Sequence, residues 1–404
     1  MKKFLLTTLL IIVFTAFTKI NFAQSNRAYA ITGETQGNVN WTVVRQVDLS
    51  TGALIRNIYI PSTDKPLLLD ALTGRQIAQD KTVQINSFPN PATMVAAAAL
   101  DAKNNHLYFT TMQGLQLRYI DLNSQQLKIY YVQNPMLKQF ASKPGEDDNI
   151  TRMSFASDGF GYALTNNGNH FIRFSTDKNV KITDLGSLKD GINNENFSVH
   201  NMASWGGDMV GDAFNNLFLF TVKGNVYKIN VQTLVADYLG TIKNLPEGFT
   251  INAAAVDGDA SVVVSSAINA SNYYRVNLAN LEAAPVSKKA SNVFNASDFA
   301  NESFAYQNEA NKKLVIVNSN KAVTTFPNPV TNKNFTIIFD GSINGNQTVQ
   351  IITLSGKILL NKVVDASAKT AKILLPQNAV PGTYVLKVNS EAGKQIYSDK
   401  IIIQ

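Results

Sequence analysis

Hydrophobic and polar positions alternate in short runs between residues 26 and 318, and the runs group into a unit that recurs. Each unit opens with a strand of small residues, crosses a polar turn that often carries Asp, and continues as an aromatic or β-branched strand. Copies of this first half stand at residues 98–109, 155–164, 209–220 and 254–264. A second phrase, typified by Tyr274-Arg275-Val276-Asn277-Leu278, recurs at 44–49, 118–122, 171–175 and 226–230. Period-2 alternation bounded by turn residues predicts strands. Unit starts near 94, 151, 207 and 251 lie 57, 56 and 44 residues apart, close to the roughly 40–50 residues of a four-stranded propeller blade.

The ends of this region complement each other. The first unit, from Ala28, lacks an inner strand, and residues 293–301 read as an inner strand with no full blade behind them. Pairing the two would close a ring in which every sheet is buried against its neighbours. The expectation is an all-β chain. A β-propeller-like domain fills residues 24–320, with five blades, or six if residues 314–318 and the segment after Pro61 add strands. A small β-sandwich follows over 326–404. A tandem of β-sandwiches is the competing architecture for the middle.

Composition narrows the function classes. With 404 residues, 45% hydrophobic and 16% charged, the chain can bury a sizeable core. The formal net charge is +7, of which Lys2, Lys3 and Lys19 supply three, so +4 remains downstream. That excess is too dilute for a nucleic-acid footprint, which needs clustered Lys and Arg. The absence of cysteine excludes disulfides, thiolate metal sites, a cysteine nucleophile and a lipobox anchor. Residues 1–23 read as a secretory signal: Met1-Lys2-Lys3, an uncharged apolar stretch over 4–17, and cleavage after Ala23. The stretch is shorter than the roughly 20 residues that span a bilayer, so no transmembrane anchor is expected after cleavage.

Catalytic templates are missing. His106, His170 and His200 are scattered, and there is no Gly-x-Ser-x-Gly elbow, phosphate loop or His-Glu-x-x-His. Neither a metal nor a cofactor is expected. Asp101, Asp158, Asp212 and Asp257 sit between the first two strands of their units, where Asp commonly binds its own backbone. The rival reading is a ring of carboxylates serving glycoside chemistry. In a propeller the loops leading into the inner strands converge on one mouth, and here they supply Arg152, His200, Trp205, Asp208, Asn252 and Asp298. Aromatic, amide and charged groups meeting in a concavity suit a sugar or peptide. The structural alternative is that these residues cap and pack loops.

After residue 320 the pattern becomes a compact run of strands joined by Gly turns, as in a β-sandwich. It carries Pro327-Asn328-Pro329, then Leu354-Ser355-Gly356-Lys357, then Pro381-Gly382-Thr383-Tyr384-Val385-Leu386-Lys387-Val388, then Gly393-Lys394. In order and spacing this resembles the type IX secretion system C-terminal sorting domain, with Ser355 where the family often has Asp. The resemblance implies recognition by the outer-membrane translocon, removal of the tail by a sorting peptidase, and a secreted or cell-surface product that travels via the periplasm. Phrases of the middle, among them Ser204-Trp205-Gly206-Gly207-Asp208, are similar to those of exported repeat proteins with such tails. Two functions remain for the middle. One is non-enzymatic binding of an extracellular glycan or protein. The other is a polysaccharide hydrolase or lyase using Arg152 for charge stabilisation, His200 as base and Asp208 as acid.

Overall fold

The computed structural model describes residues 26–77, 94–112, 116–137, 145–287, 293–311, 322–330, 333–353 and 356–403. The expected signal peptide and residues 314–318 lie outside these. The chain divides into two compact units between Gln307 and Asn308.

The described strands of the first unit form five sheets. Their inner strands are Ala296–Ala300, Val95–Asp101, Ile150–Phe155, Asp208–Gly211 and Ala253–Gly258, each touching the next around a closed ring. The unit is therefore a β-propeller, with five blades among the described residues. Closure follows the expected route: Ala296–Ala300 pairs antiparallel with Arg27–Thr32, setting Ala30 opposite Phe299 and Ile31 opposite Asp298. The segment after Pro61 does not begin a sixth blade. Its strand Leu67–Asp70 adds parallel to Lys128–Val132 on the outer edge of the second blade. Lys189–Asp190 adds in the same way to Val235–Thr241 on the fourth.

The period-2 pattern explains how the ring holds. Successive side chains of a strand point to opposite faces, so each inner strand serves two inter-blade cores. Ala97 and Ala99 face Met153, Ile172 and Phe174 of the third blade, while Ala98 and Leu100 face Ile31 and Val44 of the first. Met209 joins Tyr162, Leu164 and Phe171, whereas its neighbour Val210 joins Val256, Val262 and Val264. Blades converge at the axis, and the inner strands Val95–Asp101 and Ala253–Gly258 meet it with runs of alanine while the next strands supply bulk such as Tyr108, Phe218 and Phe220. Each such large apolar side chain contributes about 2 kcal/mol through burial.

The turn aspartates behave as turn formers. Asp101 accepts from the Lys103 and Asn104 amides, Asp158 from Phe160, and Asp212 from Phe214 and Asn216. Asp257 differs, because its carboxylate meets the Arg275 guanidinium at 2.6 Å.

The second unit has a three-stranded sheet, Val323–Phe326, Asn334–Phe339 and Thr370–Leu374, and a four-stranded one. The latter runs Ile358–Asp365, Asn346–Thr353, Gly382–Ser390 and Gln395–Ile403 in spatial order. Both are antiparallel. They enclose one apolar core that includes Phe335, Ile337 and Phe339 from the first sheet and Ile351, Leu386 and Ile401 from the second.

Candidate functional site

In a closed ring one edge of each inner strand pairs outward, and the other leaves main-chain donors and acceptors at the axis that need partners. Asp208 supplies some of them. It follows Gly206 and Gly207, whose φ angles of 64° and 89° make a sharp turn into the strand. A Cβ on Gly207 would lie 1.8 Å from the Phe220 carbonyl oxygen, so only glycine fits there. The Asp208 carboxylate accepts from the amides of Met209 (2.7 Å), Ala254 (2.7 Å) and Phe299 (3.1 Å), tying the fourth, fifth and first blades together.

Beside it lies Asp298, also without solvent exposure, whose oxygens make no full hydrogen bond and receive only a weak stabilising influence from the Ala98 amide. Burial pushes both carboxyls well above the usual range. For Asp298 the Asp208 charge adds to the rise, and for Asp208 the three amides oppose it. Two like charges in a dry site ionise together only at high cost. The pair therefore keeps a proton to higher pH than an ordinary carboxyl.

Arg152 is likewise fully buried. Its guanidinium donates to the carbonyls of Ser204 (3.0 Å) and Thr165, and its Nε has no partner. Burial pulls its pKa down to about 9, which leaves it charged at neutral pH. His200 is half-buried with Nδ1 at 2.8 Å from the Asn167 carbonyl and Nε2 at 3.1 Å from that of Leu188, so neither nitrogen is free to serve a ligand. The Trp205 indole N–H is buried without an acceptor. The Asn252 side-chain oxygen accepts from Thr250 Oγ1 and the Ala267 amide. The fold thus joins Asp208 to Asp298, and Arg152 to the segment that carries Trp205. It engages His200 and Asn252 separately in loop contacts.

A cavity of about 220 Å³ opens instead among the trailing ends of the inner strands. Its wall is formed by Ala98, Met153, Phe155, Met209, Phe299 and Phe304, and Lys103, Ser154, Ser157 and Glu302 bring polar groups to it. One side is made by the chain after the closing strand, which crosses below the fifth blade to the fourth. There Asn301 donates to the Val256 carbonyl, and Ala305 exchanges main-chain bonds with Gly211 and Ala213. Sequence reasoning missed this concavity. The signal available was the Phe299-Ala300-Asn301-Glu302-Ser303-Phe304 run, apolar at both ends directly after the closing strand.

In the tail module the signature residues occupy turns and strand ends. The Asn328 amide clamps the last strand, donating to the Lys400 carbonyl (2.9 Å) and accepting from the Ile402 amide (2.9 Å). The Val330 amide donates to the Ile402 carbonyl at 2.7 Å. The peptide bonds before Pro327 and Pro329 are both cis. Gly356 and Gly393 hold positive φ in the hairpin turns that expose Lys357 and Lys394. Tyr384, buried, donates its hydroxyl to the Val380 carbonyl just ahead of Gly382. Leu354 and Ser355 lie outside the described residues.

Residues 324–404 match the family model of the secretion system C-terminal sorting domain. This tail marks the chain for export by the type IX secretion system to a secreted or outer-surface location. No helix among the described residues is long and apolar enough to cross a membrane. No curated protein matches the chain. Among solved structures, PorZ of Porphyromonas gingivalis, an essential surface component of that bacterium's type-IX secretion system, is similar at 12% identity and TM-score 0.33. The match covers 93% of this chain and 51% of PorZ, so the chain spans about half its length. Virginiamycin B lyase from Staphylococcus aureus is similar at 10% identity and TM-score 0.31, over 77% of this chain and 84% of the lyase. A chain of the nidogen/laminin complex is similar at 11% and 0.35, over 86% and 95%. Likenesses this remote say nothing of activity.

Proposed function

We propose that the protein is an exported binding propeller: residues 1–23 direct it to the periplasm, residues 326–404 address it to the translocon, and residues 24–320 are the cargo. The cargo holds an extracellular glycan or protein ligand without turning it over. The cavity at the trailing ends of the inner strands carries this reading, because it joins an apolar wall to polar groups, the composition of a recognition site. The residues read as acid, base and charge stabiliser support an enzyme less well. Asp208 and Arg152 have no exposure, and both nitrogens of His200 face carbonyls.

The test pairs a glycan and peptide array with a reducing-sugar release assay on the purified full-length protein. Binding without turnover, lost in Ser154→Phe where the added ring fills the cavity, is the expected result. Sugar release that disappears in His200→Ala would establish the hydrolase or lyase instead. Deleting residues 326–404 tests the address separately: the protein should then accumulate in the periplasm, and its continued appearance outside the cell would sink the sorting role.

A further inference from the structure

The signature of the tail module is scattered along 68 residues of sequence, from Pro327 to Lys394, but its strand registers gather most of it at one end. Thr353 lies opposite Tyr384, and Gly382 opposite Ile403. The turn holding Gly356 and Lys357, the start of the strand holding Gly382 and Tyr384, and the finish of the last strand therefore coincide. The bridge between Val330 and Ile403 and the Asn328 clamp bring Pro327, Asn328 and Pro329 to the same place. Gln347 opposite Ser390 sends Gly393 and Lys394 to the other end, where the module's first strand also begins, Val323 opposite Phe339.

That end has an unusual surface. Six large hydrophobic residues are exposed on the described part of the module, and four belong here: Phe326, Ile358, Leu374 and Val380, each more than half exposed. Phe326 opposite Thr336 and Leu374 opposite Asn334 fix two of them to it by register. The described loop residues at this end, 327–330, 333, 356–357 and 375–381, include Lys333 and Lys357 and no acid. Lys333 also ties two of these loops together through the Gln377 carbonyl at 2.7 Å. The loops at the opposite end, residues 340–345, 366–369 and 391–394, balance Asp340 and Glu391 against Lys369 and Lys394. Exposed apolar area rimmed by charge of one sign marks a protein interaction surface.

We propose that the translocon reads the tail from this end, through an apolar seat with an acidic rim that takes Phe326, Leu374 and Val380 and pairs with Lys357. The proposal rests on the sorting role of residues 326–404 and adds which face is read. Gly393 and Lys394 then shape the module at a distance from the contact.

Export of the full-length protein by its native cells is the measurement, comparing Lys357→Glu/Val380→Asp at the reading end with Lys369→Glu/Lys394→Glu at the other. The first pair should lower the exported fraction about tenfold or more, as loss of one central contact and one charge pair at an interface predicts. The second pair should leave export near wild type. Lys357→Arg, which keeps the charge, should export normally, and unchanged protease resistance of the purified variants would separate docking from folding. Normal export of Lys357→Glu/Val380→Asp, or failure confined to the other end, overturns the proposal even while deletion of residues 326–404 still blocks export. If the deletion itself does not block export, the sorting role falls instead.

Discussion

In the propeller, Arg152, Asp208 and Asp298 are fully buried, whereas the one buried polar side chain among the described residues of the tail module is Gln347. The difference comes from topology. A ring of sheets brings inner-strand edges to an axis, and a carboxylate that reaches across can satisfy amides of three blades at once. Two sheets face to face have no axis, so their interior is filled by apolar side chains with Gln347 the one polar exception among the described residues. Charged residue types therefore mean different things in the two regions. In the ring they are spent on the scaffold. On the tail, Lys357 stands exposed in a tight turn where a partner can read it.

Both tryptophans, Trp41 and Trp205, belong to the propeller, so tryptophan fluorescence during denaturant unfolding reports on that unit alone. The largest loss is expected for Gly207→Ala. It forces a Cβ against the Phe220 carbonyl at a positive φ, and about 4 kcal/mol or failure to fold should result. Asp208→Asn comes next, at about 3 kcal/mol, because the substituted amide turns a donor toward the three backbone donors that the carboxyl accepts from. A cost under about 1 kcal/mol would mean that the axis is not held as described. Gly356→Ala in the tail should cost only about 1 kcal/mol: φ is again positive, at 86°, but nothing lies within 4 Å of the new Cβ. Its melting is followed by circular dichroism, with Trp fluorescence as the unchanged reference. Equal losses for the two glycines would erase the contrast between a crowded axis and an open turn.

The legible parts of the fold were those set by local pattern. Small residues at 97–99 and 253–255 announced inner strands because runs of alanine pack closely where blades converge, and Asp101, Asp158 and Asp212 announced turns because they bind their own following amides. Closure by residues 293–301 was legible because each end lacked what the other had. The use of Asp208 and Asp298 was not, since a carboxylate on an inner strand looks the same in sequence whether it faces solvent or the buried axis. The only local hint was Gly206-Gly207, which aims Asp208 inward. The cavity was hidden for a different reason, because Phe304 reaches Gly211 through a crossing that only the closed ring creates. In the tail the motifs were plain, and their separation into two ends required the registers.

The finest distinction concerns the proton on the axis. Both carboxyls have folded pKa values above their unfolded ones, so the folded propeller binds more protons than the unfolded chain over the interval between the two. Stability from this source is complete below the unfolded carboxyl value of about 3.9 and is lost as pH rises through the folded value. The propeller transition should therefore fall in temperature from pH 5 to pH 8. Asp298→Asn replaces a carboxyl that receives no full hydrogen bond with a neutral group of the same shape. It should cost less than about 1 kcal/mol at pH 5, and it should flatten the pH dependence by removing the second charge that makes ionisation of Asp208 costly. A slope as steep in Asp298→Asn as in the wild type would show that the two carboxyls titrate independently, and the axis would then be held by Asp208 alone.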